Sequence, residues 1–200
     1  MEIRKLVIGQ FQTNTYLLVV DNEVVIIDPV SKAERIQVQI LNDERVIGIL
    51  LTHGHFDHIG AVDELVELYQ CPVYLHYEDY ELTQDPQKNY SQTKKIKLKS
   101  KLSFYEHTLK LGRFEFNIHH TPGHTPGSVC IEFENALFTG DTLFKRSVGR
   151  TDLYRGNAQD LKQSLRLISK MDPLLKIYPG HEDESSLTEE LKNKIGRAHV

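Results

Sequence analysis

Cysteine is scarce in this chain. The two in its 200 residues, Cys71 and Cys130, stand far apart and lack a C-x-x-C spacing, which excludes a redox or zinc pair of that type and leaves free thiols as the expected state. Long apolar runs are missing too. No stretch approaches the roughly 20 residues of a membrane-spanning helix, and Met1-Glu2-Ile3-Arg4-Lys5 has neither an apolar segment nor a small-residue cleavage site. A cytoplasmic location is the expectation, with no membrane partner. There is no excess of positive charge: 24 Lys and Arg against 28 Asp and Glu give a net charge of −4, without the electrostatic footprint of a nucleic-acid binder. Repeats, linkers and low-complexity stretches are also lacking, so residues 1–194 read as one domain. Residues 195–200 fit no element and read as an artificial tail, which removes His199 from the candidate ligands.

What the chain does have is a concentration of metal-capable side chains. His53, His55, Asp57 and His58 fall within six residues, directly after the β-branched and aliphatic run Val46–Leu51, which reads as a buried strand. Alternate strand residues face opposite ways and the spacing matches no single helix face, so a turn is needed, for which Gly54 offers backbone freedom. Imidazole and carboxylate are ligands for zinc and also suit iron and manganese. Three later stretches, each following a predicted strand, wrap the same residue types in Gly and Pro: His124 within Thr121–Gly127, Asp141 within Thr139–Thr142, and His181 after Tyr178-Pro179-Gly180. A side chain on such a fixed turn is held as coordination requires. His76, His107, His119 and His120 read as ordinary surface or supporting residues.

Around these loops the patterns predict strands at 3–8, 15–20, 23–27, 46–51, 73–76, 104–111, 114–119, 129–133, 136–139 and 176–178. Helices are predicted at 33–41, capped by Ser31, at 61–69, and from Asn157 to about Met171, with one or two helical turns at 78–82. The polar stretch 85–101, with five lysines between 94 and 101, reads as a solvated segment without a site. Strands first, then alternating strands and helices twice over, suggest a layered α/β protein.

Together, H-G-H-F-D-H at 53–58, G-H-T-P-G-S at 123–128, G-D at 140–141 and P-G-H at 179–181 resemble the metallo-β-lactamase-fold hydrolases, over nearly the whole chain. The resemblance implies an αββα sandwich of two mixed β-sheets flanked by helices, with the site at one edge. It also implies that His53, His55 and His124 hold one metal, Asp57, His58 and His181 a second, and that Asp141 bridges them. Ser147–Leu153 contains G-R-T-D, similar to the glyoxalase II-like branch and to the persulfide dioxygenases, in which a basic residue near Arg150 helps hold a thiol cofactor such as glutathione. The plainer reading of Arg150 is a pair with a nearby acid.

On that resemblance two divalent metals, zinc or alternatively iron or manganese, activate a water for attack on a small 2-hydroxyacyl thioester such as S-lactoylglutathione. Asp57 and Asp141 would be the catalytic carboxylates, and Asp28 and Thr52 would fix ligand tautomers. Two rivals are an iron-dependent persulfide dioxygenase, needing only His53, His124 and Asp141, and a protein that binds metal without turnover.

Overall fold

The computed structural model describes residues 1–193, so the tail expected at 195–200 lies outside the described residues. Strand β1 (Glu2–Ile8) pairs antiparallel with β2 (Thr13–Val20), and β2 with β3 (Glu23–Ile27). Asp21 and Asn22 between β2 and β3 both have positive φ, the conformation a tight two-residue hairpin turn demands. Helix α1 (Ala33–Gln37) leads to β4 (Arg45–Leu50), parallel to β3. The short α2 (Phe56–Ile59) and α3 (Val62–Tyr69) precede β5 (Val73–Leu75), and α4 (Tyr80–Gln84) precedes β6 (Leu102–Phe104). The first sheet runs β1 to β6 in sequence order, antiparallel and then parallel.

The second sheet begins with β7 (Thr108–Leu111), β8 (Phe114–His120), β9 (Val129–Phe133) and β10 (Ala136–Gly140), all antiparallel neighbours. A small ribbon of β11 (Leu143–Phe144) and β12 (Ser147–Val148) and helix α5 (Ala158–Ile168) follow. Then β13 (Lys176–Pro179) lies parallel to β10 and antiparallel to β14 (Ser185–Ser186), and α6 (Leu187–Lys192) completes the described chain. Among the described residues no helix is long and apolar enough to cross a membrane.

Strand alternation decides the layers. Leu17, Val24, Ile26 and Ile49 face helices α1 and α3, where Ile36, Val62 and Leu65 cover them. Their neighbours Leu18, Val25, Ile27 and Leu50 face the second sheet and meet Phe116, Ile118, Ile131 and Phe138. The outer face of that sheet, including Cys130, Leu137 and Ile177, is covered by Leu161, Leu165 and Ile168 of α5 and by Leu187. Strands buried on both faces are apolar throughout, which is why they read as continuous runs. The result is the expected αββα sandwich of two mixed sheets. Both cysteines are buried and unpaired.

Two elements depart from the sequence reading. Helix α1 ends at Gln37, and its N-cap is Lys32, left-handed and without a side-chain cap bond, rather than Ser31. Beyond it the chain is turned by Glu44, which accepts the Leu41 N–H at 2.8 Å and pairs with Arg4, so Leu41 is exposed instead of core-facing. The predicted strand 104–111 is two strands in different sheets. Its break is set by Tyr105, whose N–H donates to Leu75 O and whose hydroxyl bonds the Leu51 backbone, finishing the first sheet before the chain crosses over. Asn157 does cap α5, accepting the N–H groups of Gln159 and Asp160 at 2.8 and 3.2 Å. Asn157→Ala is expected to lower stability by about 1 kcal/mol, read as a lower urea midpoint at unchanged slope.

Candidate metal centre

The ends of β3, β4, β8, β10 and β13 meet at one edge of the sandwich, and there the structure brings all seven expected residues together. The run from His53 to His58 is not one loop. His53 and His55 lie in non-helical chain, His55 is the N-cap of α2, and Asp57 and His58 ride on that single helical turn. Gly54 serves packing rather than backbone freedom. It has no positive φ, but a Cβ there would stand 2.8 Å from Leu82 Cβ and 3.1 Å from the Asp79 carbonyl.

Ligand atoms lie within 4.8 Å of one another in three sets: His53, His55 and His124; Asp57, His58 and His181; and His53, His58 and Asp141. Asp141 stands between the first two. Its Oδ1 is 3.4 Å from His58 Nε2, while Oδ2 is 3.5 Å from His124 Nε2 and 3.4 Å from His181 Nε2. His53 Nε2, His55 Nε2, His58 Nε2 and Asp141 Oδ1 are buried with no hydrogen-bond partner. Buried polar atoms are ordinarily paired, since leaving one unpaired costs about 1–3 kcal/mol. Four orphans aimed into one space therefore fit a cation as the missing partner.

The other ring nitrogens are tied down. His124 Nδ1 donates to Arg150 O at 2.8 Å and His181 Nδ1 to Phe11 O at 3.0 Å; a carbonyl only accepts, so Nδ1 carries a proton in each and Nε2 is the nitrogen left to face a cation. His58 Nδ1 is 2.9 Å from Asp28 Oδ2, and Asp28 also accepts from the Thr52 N–H and hydroxyl at 2.8 and 2.6 Å. Thr52 Oγ1 in turn is 3.1 Å from His53 Nδ1.

Residues without a sequence signal complete the site. Asp79, fully buried, accepts from Gly54 N–H, Thr125 hydroxyl and Gly127 N–H at 2.8, 2.7 and 2.6 Å, joining the loop of His53 and His55 to that of His124. Burial raises its pKa to about 6, against the pull of those three bonds. The stretch 85–101 is not a plain solvated segment. Asn89 is buried, its side-chain amide donates to Leu82 O and Ile96 O, and its backbone carbonyl accepts from Phe56 N–H at 3.1 Å, which brings the Tyr90 ring to 5.6 Å from that of His55. Arg150 is exposed and pairs with Asp152 through two contacts of 2.7 Å, the plainer of its two readings. With Gly149, Thr151 and Lys162 it also lines a cavity of about 300 Å³ against α5.

Residues 8–181 match the metallo-beta-lactamase superfamily. The chain belongs to that superfamily. It is 35% identical to the Probable metallo-hydrolase YqgX of Bacillus subtilis (strain 168), with 96% of each chain covered. The crystal structure of BLEG-1 B3 metallo-beta-lactamase is similar with a TM-score of 0.91 at 35% identity, covering 98% of this chain and 100% of that one. The structure of TTHA1623 in a di-iron-bound form gives a TM-score of 0.86 at 33% identity, covering 96% and 98%.

Electrostatics in this superfamily member separate the histidines. Burial, aided by neighbouring imidazoles, keeps His53 and His55 well below the ordinary histidine range and so neutral. Burial acts the same way on His58 and His181, but the carboxylates prevail: Asp141, Asp28 and Asp57 raise His58 well above that range, and Asp141 and Asp57 raise His181. Asp141 is opposed by burial yet held well below the carboxylate range by His58, His181 and His124. Without metal, His58 and His181 are therefore both shifted toward the protonated form, and a cation binding at them would displace protons. Metal affinity is expected to fall with falling pH, by about tenfold per pH unit for each proton released. Calorimetric titration in two buffers of different ionisation enthalpy measures that proton release; an affinity flat between pH 8 and 6 would contradict it.

Proposed function

We propose that the chain is a binuclear metal-dependent hydrolase cleaving a small 2-hydroxyacyl thioester. The observation that carries this reading is the gathering of three orphaned buried imidazole nitrogens beside Asp141, itself orphaned at Oδ1, whose Oδ1 lies near His58 and whose Oδ2 lies near both His124 and His181. On it, His53, His55 and His124 would hold one ion, Asp57, His58 and His181 the other, and Asp141 would bridge them. Imidazole and carboxylate donors suit zinc and accept iron or manganese. Bound there, the pair would supply a water of lowered pKa and Lewis-acid stabilisation of the oxyanion formed at the acyl carbon.

The chain's own residues do the positioning. Asp57 is anchored by the Thr13 hydroxyl at 3.1 Å and lies 3.5 Å from His181 Nε2, where a carboxylate oxygen can orient the attacking nucleophile. A thiolate is a fair leaving group, so little general acid is required. Lys162 places positive charge beside the cavity of about 300 Å³, and Arg150 would add to it on exchanging Asp152 for a substrate carboxylate, which suits a glutathione-like thiol carrier. The substrate is a small molecule; nothing in the chain's charge calls for nucleic acid or a membrane. YqgX, described as a metallo-hydrolase, supports hydrolysis. The similarity to a B3 metallo-beta-lactamase favours a β-lactam amide as the second reading.

Protein reconstituted separately with Zn, Fe and Mn is expected to hold about two ions per chain. It is expected to release thiol from S-lactoylglutathione and to take up no oxygen with glutathione persulfide. One ion or none under all three metals sinks the binuclear reading. Oxygen consumption that vanishes in His124→Ala, without thioester cleavage, replaces the hydrolase with a dioxygenase, and faster cleavage of a chromogenic cephalosporin than of any thioester establishes the second reading.

A further inference from the structure

Outside the centre just described, His76, Glu78 and His120 form a separate cluster. His76 directly follows β5, Glu78 lies in the 3-10 turn Tyr77–Asp79, and His120 is the last residue of β8, so the two sheets each contribute an imidazole. The rings stack with centroids 3.9 Å apart and planes 15° from parallel, and the ligand atoms of all three residues lie within 4.8 Å of one another. Glu78 Oε2 is 3.8 Å from His120 Nε2. Donors bound at about 2.0–2.1 Å to one ion stand roughly 3–4 Å apart, so rotations of these partly exposed side chains that unstack the rings close the set.

We propose that His76, Glu78 and His120 bind a late divalent transition metal, such as Cu²⁺, Ni²⁺ or Zn²⁺, as a peripheral site distinct from the main centre. Two imidazoles and one carboxylate are the donors these ions prefer over Mg²⁺ or Ca²⁺, and three protein ligands leave positions for water. His76 Nδ1 accepts the Glu78 N–H only at a long 3.5 Å, so an ion can take over that lone pair at little cost. An imidazole lone pair lies in its ring plane, so the two rings swing out of this stack to share one ion, which then satisfies both without the repulsion that two added protons would bring. His120 Nε2 now lies 2.8 Å from Pro126 O, to which it donates. Coordination through Nε2 moves the ring proton to Nδ1 and exchanges that carbonyl for the ion. Pro126 belongs to the turn that also carries His124, so the peripheral site adjoins the main one through a single hydrogen bond.

The test is a count made on holoprotein, free of any purification tag, whose resident metal has first been measured and which is then titrated with Cu²⁺. Wild type is expected to take up one more equivalent than His120→Ala and than His76→Ala, both folded by circular dichroism and both with resident metal at the wild-type level. The extra Cu²⁺ should show nitrogen hyperfine coupling in its electron paramagnetic resonance spectrum, and Glu78→Gln should bind it more weakly. Uptake by wild type equal to that of both histidine variants overturns the proposal, as does a Cu²⁺ signal unchanged by either substitution. Because the comparison is a difference between variants, it stands whatever number of ions the main centre holds.

Discussion

Asp141→Ala is expected to lose thioester turnover by on the order of 10³-fold and to lose both ions, because several kcal/mol of transition-state stabilisation come from a metal pair that this carboxylate alone would share. Its Oδ1 approaches His58 while its Oδ2 approaches His124 and His181, so this one carboxylate reaches both sets. Removal also takes from His58 and His181 the anion that does most to raise both, ahead of Asp28 and Asp57 at His58 and of Asp57 at His181. Asp57→Ala should instead weaken mainly the ion held with His58 and His181, since Asp57 Oδ2 lies nearest His181. Metal analysis after dialysis and thiol-release kinetics on both variants separate the roles. Equal loss of one ion in each would contradict the division. The protein is expected to stay folded in both cases, because the three hydrophobic clusters lie in the layers of the sandwich rather than at its edge.

Asp28→Asn is expected to weaken metal binding by about 10- to 100-fold without removing a ligand. Asp28 has positive φ, which asparagine tolerates, so the backbone is not the target. What changes is the chemistry of one oxygen. Asp28 Oδ2 accepts from Thr52 Oγ1 and faces His58 Nδ1, and an amide nitrogen at that position donates where a proton must be received. Turning the amide the other way sets its nitrogen against the Thr52 N–H, which now donates to Asp28 Oδ1 at 2.8 Å. The first orientation takes from His58 the partner that places its lone pair on Nε2, and the second keeps that partner only by setting two donors against each other at Thr52. Competition with a chromogenic chelator should show the weakening mainly at the ion shared by Asp57, His58 and His181. Unchanged affinity there would mean that the ring is oriented by packing alone.

Residue types and strand-end positions were legible in the sequence because they rest on local physics. Runs such as Leu17–Val20 and Val24–Ile27 are apolar at every position because both faces of the sheet are covered, and Gly or Pro beside His124, Asp141 and His181 marks the turn that follows a strand. The tertiary structure decided what lies between those pieces. It split 104–111 between two sheets through the bonds of Tyr105 to Leu75 and Leu51, folded 85–101 over the site through Asn89, and placed Asp79 where it joins loops 25 and 48 residues away. A carboxylate in a short turn has the same local signature whether it faces water or three donors. Only the packing of the two sheets brings Gly54, Thr125 and Gly127 to that side chain, and the same packing sets Asp141 between two groups of histidines that the linear order keeps apart.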